Sequence, residues 1–121
     1  MSVSTPSYLT GLQLDGVSGE TWVYEFFLFI ASGDAGATVS LNPNGATSLL
    51  GIVEATSEGN LPLMADGTNS LTFASTYPLA LVKAAGTVTF GGIAPHSLLP
   101  FFGAGTLQIL SGSFMRAQKV S

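Results

Sequence analysis

"TWVYEFFLFI", Thr21 to Ile30, is the stretch that decides the fold. Read with a period of two, it places Trp22, Tyr24, Phe26, Leu28 and Ile30 on one side. Val23, Phe27, Phe29 and Ala31 fall on the other, with Glu25 among them. A period of two is the side-chain period of a β-strand. A strand that is apolar on both faces asks to be covered on both. In a two-sheet sandwich the fold itself covers only the inner face. A crossing loop, a helix or another subunit must cover the rest.

A membrane is the first alternative for such a run. A spanning helix needs about 20 apolar residues, and this run has about half that length. A spanning strand of about 9–11 residues fits in length. Barrel strands, however, alternate a lipid-facing and a lumen-facing side, whereas here both sides are apolar. The expectation is no membrane. Met1 to Gly16 carries neither a basic region nor an apolar run, so no secretory signal is expected either.

Outward from Thr21–Ile30, the chain repeats short runs rich in Val, Thr, Leu and Phe, separated by Gly, Asn, Asp and Pro. That is the pattern of many short strands. Strands are expected at Tyr8–Leu14, Thr21–Ala31, Ala37–Leu41 and Ser48–Ala55. Further strands are expected in "SLTFA", "PLALVKA", "GTVTFGG", "GTLQIL" and "SFMRAQKV". Turns are expected at Ser32–Gly36, Asn42–Gly45, "TSEGN" and Asp66–Asn69. Leu61–Met64 holds a proline and reads as an edge strand or a packed loop. The expected fold is all-β: an antiparallel sandwich of jelly-roll or Ig-like type, about eight short strands in one domain over residues 1–121.

The chain has 121 residues, a hydrophobic fraction of 46% and a net charge of −4. Charged residues make up 8%, against roughly 25% in ordinary soluble proteins. The cations are Lys83, Arg116 and Lys119. Three cations cannot form the basic stripe that nucleic acid requires. There is no cysteine, which excludes disulfides, thiolate metal sites and cysteine nucleophiles.

Catalytic patterns are sparse. His96 is the one histidine, with no second ligand type near it in sequence, and it reads as a loop residue making an ordinary hydrogen bond. The Gly pair in "FGAGTLQ", Phe102–Gln108, lacks the third glycine and the following helix of a phosphate-binding loop. Asp66–Ser70 resembles the start of a calcium loop but supplies one carboxylate. Glu25 and Glu54 lie in expected strands and could in principle converge as a glycosidase pair. Each reads better as a rim residue, or as a partner of Arg116 or of backbone. No enzyme, metal, cofactor or small-molecule substrate is expected.

"IAPHSLLPFFG", Ile93–Gly103, carries two prolines beside Leu98, Leu99, Phe101 and Phe102. It reads as an apolar loop that either plugs the core or meets a partner. The expected interface therefore joins Val23, Phe27 and Phe29 to Leu98, Leu99, Phe101 and Phe102. The expected function is non-enzymatic assembly: a homo-oligomer, a trimer first, docked on virion or capsid proteins after assembly in the host cytoplasm. The concrete version is a phage capsid decoration or minor structural subunit. An extracellular module for carbohydrate or a host surface is the alternative, with Trp22, Tyr8, Tyr24 and Tyr77 as stacking platforms. On the assembly reading, Phe101→Asp with Phe102→Asp leaves the fold intact and abolishes association.

Overall fold

The structure, a computed structural model, describes residues 2–3, 7–32, 36–57, 63–66, 71–73 and 77–121. The expected turns at Ser32–Gly36, "TSEGN" and Asp66–Asn69 lie wholly or partly outside these, as do the side chains of Tyr8 and Tyr77. The described strands are β1 (Ser2–Val3), β2 (Ser7–Tyr8), β3 (Leu14–Asp15), β4 (Thr21–Ser32), β5 (Thr38–Asn44) and β6 (Ala46–Ser57). They continue as β7 (Leu63–Asp66), β8 (Leu71–Thr72), β9 (Tyr77–Phe90), β10 (Ser97–Ala104), β11 (Leu107–Ile109) and β12 (Phe114–Lys119). The helical content among the described residues is one 3-10 turn, Thr10–Leu12.

These strands form two antiparallel sheets, as the all-β sandwich expectation requires. The larger runs β1-β11-β4-β9-β6-β7, with β12 also on β4. The smaller runs β2-β10-β5-β8, with β3 also on β10. Tyr24, Phe26, Leu28 and Ile30 of the larger sheet share one buried cluster with Val39, Leu41, Leu98 and Phe102 of the smaller. Trp22 packs against its margin. The inner face of Thr21–Ile30 is therefore the one its alternation predicts.

Volume decides how this core fills. Three large inward residues of β4 lie in register with very small ones of β9: Phe26 beside Ala84, Ile30 beside Ala80, Tyr24 beside Gly86. Gly86 in turn pairs with Gly51 of β6. A Cβ on Gly51 would strike the Tyr24 hydroxyl, and one on Gly86 would strike the Leu50 carbonyl. The Tyr24 hydroxyl thus lies where Gly51 leaves room, while Gly86 lets the β6 backbone approach closely, and that hydroxyl donates to the Leu50 carbonyl at 3.1 Å. Burial pushes this phenol up to about 12, so it stays neutral and able to donate.

Three expectations are corrected. "PLALVKA" and "GTVTFGG" are one strand, β9, because Gly86 sits in the ladder against the β6 backbone rather than in a turn. Asn42–Asn44 is not a turn but the end of β5, and Gly45 alone takes a positive φ of 68°. Ser97–Ala104 is not a loop but β10, an inner strand of the smaller sheet.

The prolines explain how β10 forms. A residue's N–H and C=O point to the same side of a strand. The Pro100 carbonyl accepts from Leu9 N–H at 3.0 Å, away from β5. Its missing donor therefore faces the gap between β2 and β3, where the 3-10 turn interrupts pairing. This also splits the expected Tyr8–Leu14 strand in two. The ladder's alternation turns the nitrogen of Pro43, opposite Leu98, away from β10 as well.

Leu98 and Phe102 are fully buried in the core and Leu99 is 4% exposed. These three have no surface to offer a partner, which corrects their place in the expected interface. Phe101 is half-buried. We expect Phe102→Asp alone to abolish the folded β-sheet signal in circular dichroism, because an unpaired carboxylate would enter the core at a cost of several kcal/mol.

β11 and β12 line the same edge of β4, separated by a short turn. Leu110 N–H donates to the Phe29 carbonyl at 2.8 Å. Phe29 N–H donates to Ser113 Oγ at 2.9 Å, and that hydroxyl donates to the Leu110 carbonyl at 3.0 Å. One serine side chain therefore replaces the missing strand partner. Ser113→Ala leaves the Phe29 N–H unpaired, and urea denaturation is expected to register a loss of about 1–3 kcal/mol.

Candidate functional site

The outer face of the larger sheet collects the side chains that the core does not take. Along β9 and β6 the size order is inverted relative to an ordinary surface. Ala80, Val82, Ala84, Val53 and Ala55 point inward and are buried. Leu79, Leu50 and Ile52 point outward and are 51%, 66% and 50% exposed. Val23 and Phe114 are exposed beside them, on β4 and β12. Leu50, Ile52 and Leu79 thus face away from the core, while Leu49 and Phe90 of the same strands face it.

The chain covers part of this face itself. Phe27 stacks on Phe114 with ring centroids 4.7 Å apart. Lys83 Nζ and the Arg116 guanidinium lie 5.6 Å and 5.5 Å from the Phe27 ring centre. The turn between β11 and β12 brings Gly112 against Phe29. Phe27 and Phe29 are in consequence half-buried, while Val23 is left exposed. Of the expected interface residues, these three share one surface, and Phe101 lies apart from them in the smaller sheet.

Among the described side chains, charge enters this face at four registered positions. Arg116 of β12 is opposite Glu25 of β4, and Lys83 of β9 is opposite Glu54 of β6. Arg116 Nε donates to Glu25 Oε1 at 2.7 Å, and Lys83 Nζ lies 3.8 Å from Glu25 Oε2. The hydrogen bond from Arg116 holds the Glu25 carboxyl below its ordinary range, against a smaller opposing effect of desolvation. Such surface pairs contribute little stability on their own. Their main effect is to fix where charge sits on an apolar face.

A second polar cluster closes the end of the sheet. Burial would raise the Glu20 carboxyl, but donation from Val17 N–H, the Trp22 indole and Lys119 outweighs it and leaves the group lowered. Trp22 Nε1 is 3.3 Å from Glu20 Oε1. Trp22 is thus half-buried and tied to its own chain, and Tyr24 is wholly internal. Neither is an open stacking platform.

The catalytic candidates are placed as follows. His96 Nε2 is 2.9 Å from the Gly92 carbonyl, and its ring meets Phe90 edge-on at 6.2 Å. Gly103–Gly105 ends β10 and turns into β11, so a strand follows the glycines. Glu25 and Glu54 share the outer face but lie two strand spacings and one outward row apart, about 12 Å, with Lys83 on the strand between. They do not face each other across a cleft. The described residues contain no cluster of three or more His, Cys, Asp or Glu able to hold a metal. None of their helices is long and apolar enough to cross a membrane. The calcium-like stretch Asp66–Ser70 falls outside the described residues after Asp66.

No family model, curated protein or solved structure matches this chain.

A carboxyl whose folded pKa is lowered contributes stability above its unfolded value and loses it as pH falls through the folded one. Glu25 is such a group, with an ordinary value of 4.5. Stability is therefore expected to decline as pH drops below 4.5. Glu25→Gln should flatten that decline in urea melts taken across the acid range, and an unchanged slope would remove Glu25 from the acid response.

Proposed function

We propose that this protein is a non-enzymatic assembly subunit that docks on neighbouring subunits through the outer face of its larger sheet. The observation that carries the reading is the outward placement of Leu50, Ile52 and Leu79, while mostly small residues of the same strands, with Leu49 and Phe90, face the core. Each large apolar side chain moved from water into an interface contributes about 1.5–3 kcal/mol. Several on one face make association favourable without any deep pocket. The low charge supports the same reading, because charged residues are what guard a sheet face against association.

The sequence expectation of a homo-oligomer carries over, now through Val23, Phe27 and Phe29 without the buried residues of β10. A small virion component, placed against capsid or tail proteins, is the setting that the low charge and absence of cysteine favour. The carbohydrate-binding alternative draws no support from Trp22 or Tyr24, whose rings are engaged within the chain.

The test is the double variant Leu50→Asp with Ile52→Asp, which changes only outward positions. Circular dichroism is expected to keep its β-sheet form, while sedimentation velocity shows the wild-type oligomer replaced by monomer. An oligomer of undiminished size in the double variant contradicts the docking face.

A further inference from the structure

We infer that the occupant of this face is a second copy of the same chain, paired face to face about a two-fold axis. The inference rests on the docking reading above and names the partner. Arg116, Glu25, Lys83 and Glu54 lie on four adjacent strands, in the order β12, β4, β9, β6. Their signs alternate: plus, minus, plus, minus. Arg116 and Glu25 share one cross-strand row, and Lys83 and Glu54 share the next outward-facing row. The four therefore form a shallow diagonal stripe, each step about one strand spacing of 4.8 Å across.

A stripe of this order is complementary to its own reverse. A two-fold axis lying in the face and crossing the stripe at its midpoint sets Arg116 opposite Glu54 of the second copy. The same operation sets Glu25 opposite Lys83 of the second copy. Both contacts then occur twice, as an isologous interface demands. Pairing with the stripes unreversed would put like charges together at all four positions, which costs several kcal/mol per contact. The charges thus select one orientation out of the many an apolar face would allow.

The apolar residues obey the same operation. Phe27, Phe114 and Leu81 lie on one side of the stripe, and Val23, Leu50 and Ile52 on the other. The axis brings each side against its own counterpart, so apolar meets apolar on both flanks. The four charges of the stripe sum to zero and the chain's net charge is −4, so nothing in the stripe draws an anionic partner such as nucleic acid or an anionic lipid surface. A two-fold contact closes at two copies, so the unit is a dimer, not the trimer expected from sequence.

The test uses the full chain and two charge reversals. Glu54→Lys and Arg116→Glu each place like charges opposite one another in their own homodimer. Each is expected to weaken self-association by at least about 100-fold, read by sedimentation equilibrium. Mixed in equal amounts, the two variants restore opposite signs at every facing position, and the dimer returns. Damage to pairing within one chain cannot be repaired by mixing, so recovery reports the contact between copies. Should either variant lose its β-sheet dichroism, Glu25→Lys mixed with Lys83→Glu makes the same comparison at the other facing pair. A wild-type trimer, or a mixture that stays monomeric although Leu50→Asp with Ile52→Asp disperses the wild type, overturns the two-fold pairing and leaves the docking face standing. A wild type that is monomeric at all concentrations overturns both.

Discussion

Every outward apolar residue of β4 has to be covered or left in water, and that constraint organises the molecule. The strand holds the centre of the larger sheet, with β9 on one edge and β11 and β12 on the other. Its inner residues are large, and three of their neighbours on β9, Ala80, Ala84 and Gly86, are small, while Leu79 of β9 faces outward. The bulk that closes the core around Tyr24, Phe26 and Ile30 thus has a counterpart on the opposite face. Filling one side of the sheet and leaving the other apolar are a single arrangement of volume. On the proposed two-fold pairing, the stripe of four charges sets how that apolar surface is met.

The chain's own cover stops partway. The β11–β12 turn reaches Phe29, held there by Ser113, and Phe114 with two cations shields Phe27. Nothing comparable among the described residues reaches Leu50 or Ile52, on the far side of β9. The exposed part of the face therefore lies where β6 continues the sheet beyond the reach of the C-terminal strands.

The central strand was legible in the sequence from its length and its density of aromatic and β-branched residues, with Glu25 the one charge on its outer side. The all-β class was legible for the same reason in weaker runs. Less legible were features that depend on a partner strand. Gly86 reads as a break until the β6 backbone, at Leu50 and Gly51, is seen packed where its side chain would be. Pro100 and Pro43 read as strand breakers until their nitrogens are seen turned away from β5–β10 pairing. Leu98 and Phe102 then move from surface to core, since an apolar residue shows nothing of which side it faces without its register. On the outer face, Val23, Phe27 and Phe29 were found from β4 alone. Leu50, Ile52 and Leu79 were not singled out, because their outward direction follows only once β6, β9 and β4 are aligned.

The claim at the centre of this account is that the outer face of the larger sheet is covered in the protein's working state. Hydroxyl-radical labelling read by mass spectrometry reports the exposure of individual side chains. Run on the wild type from dilute to concentrated solution, it is predicted to show Leu50, Ile52 and Phe114 becoming protected together, while exposed Val17 and Ile93, outside that face, stay equally reactive. Equal labelling of all five residues at every concentration would contradict the account.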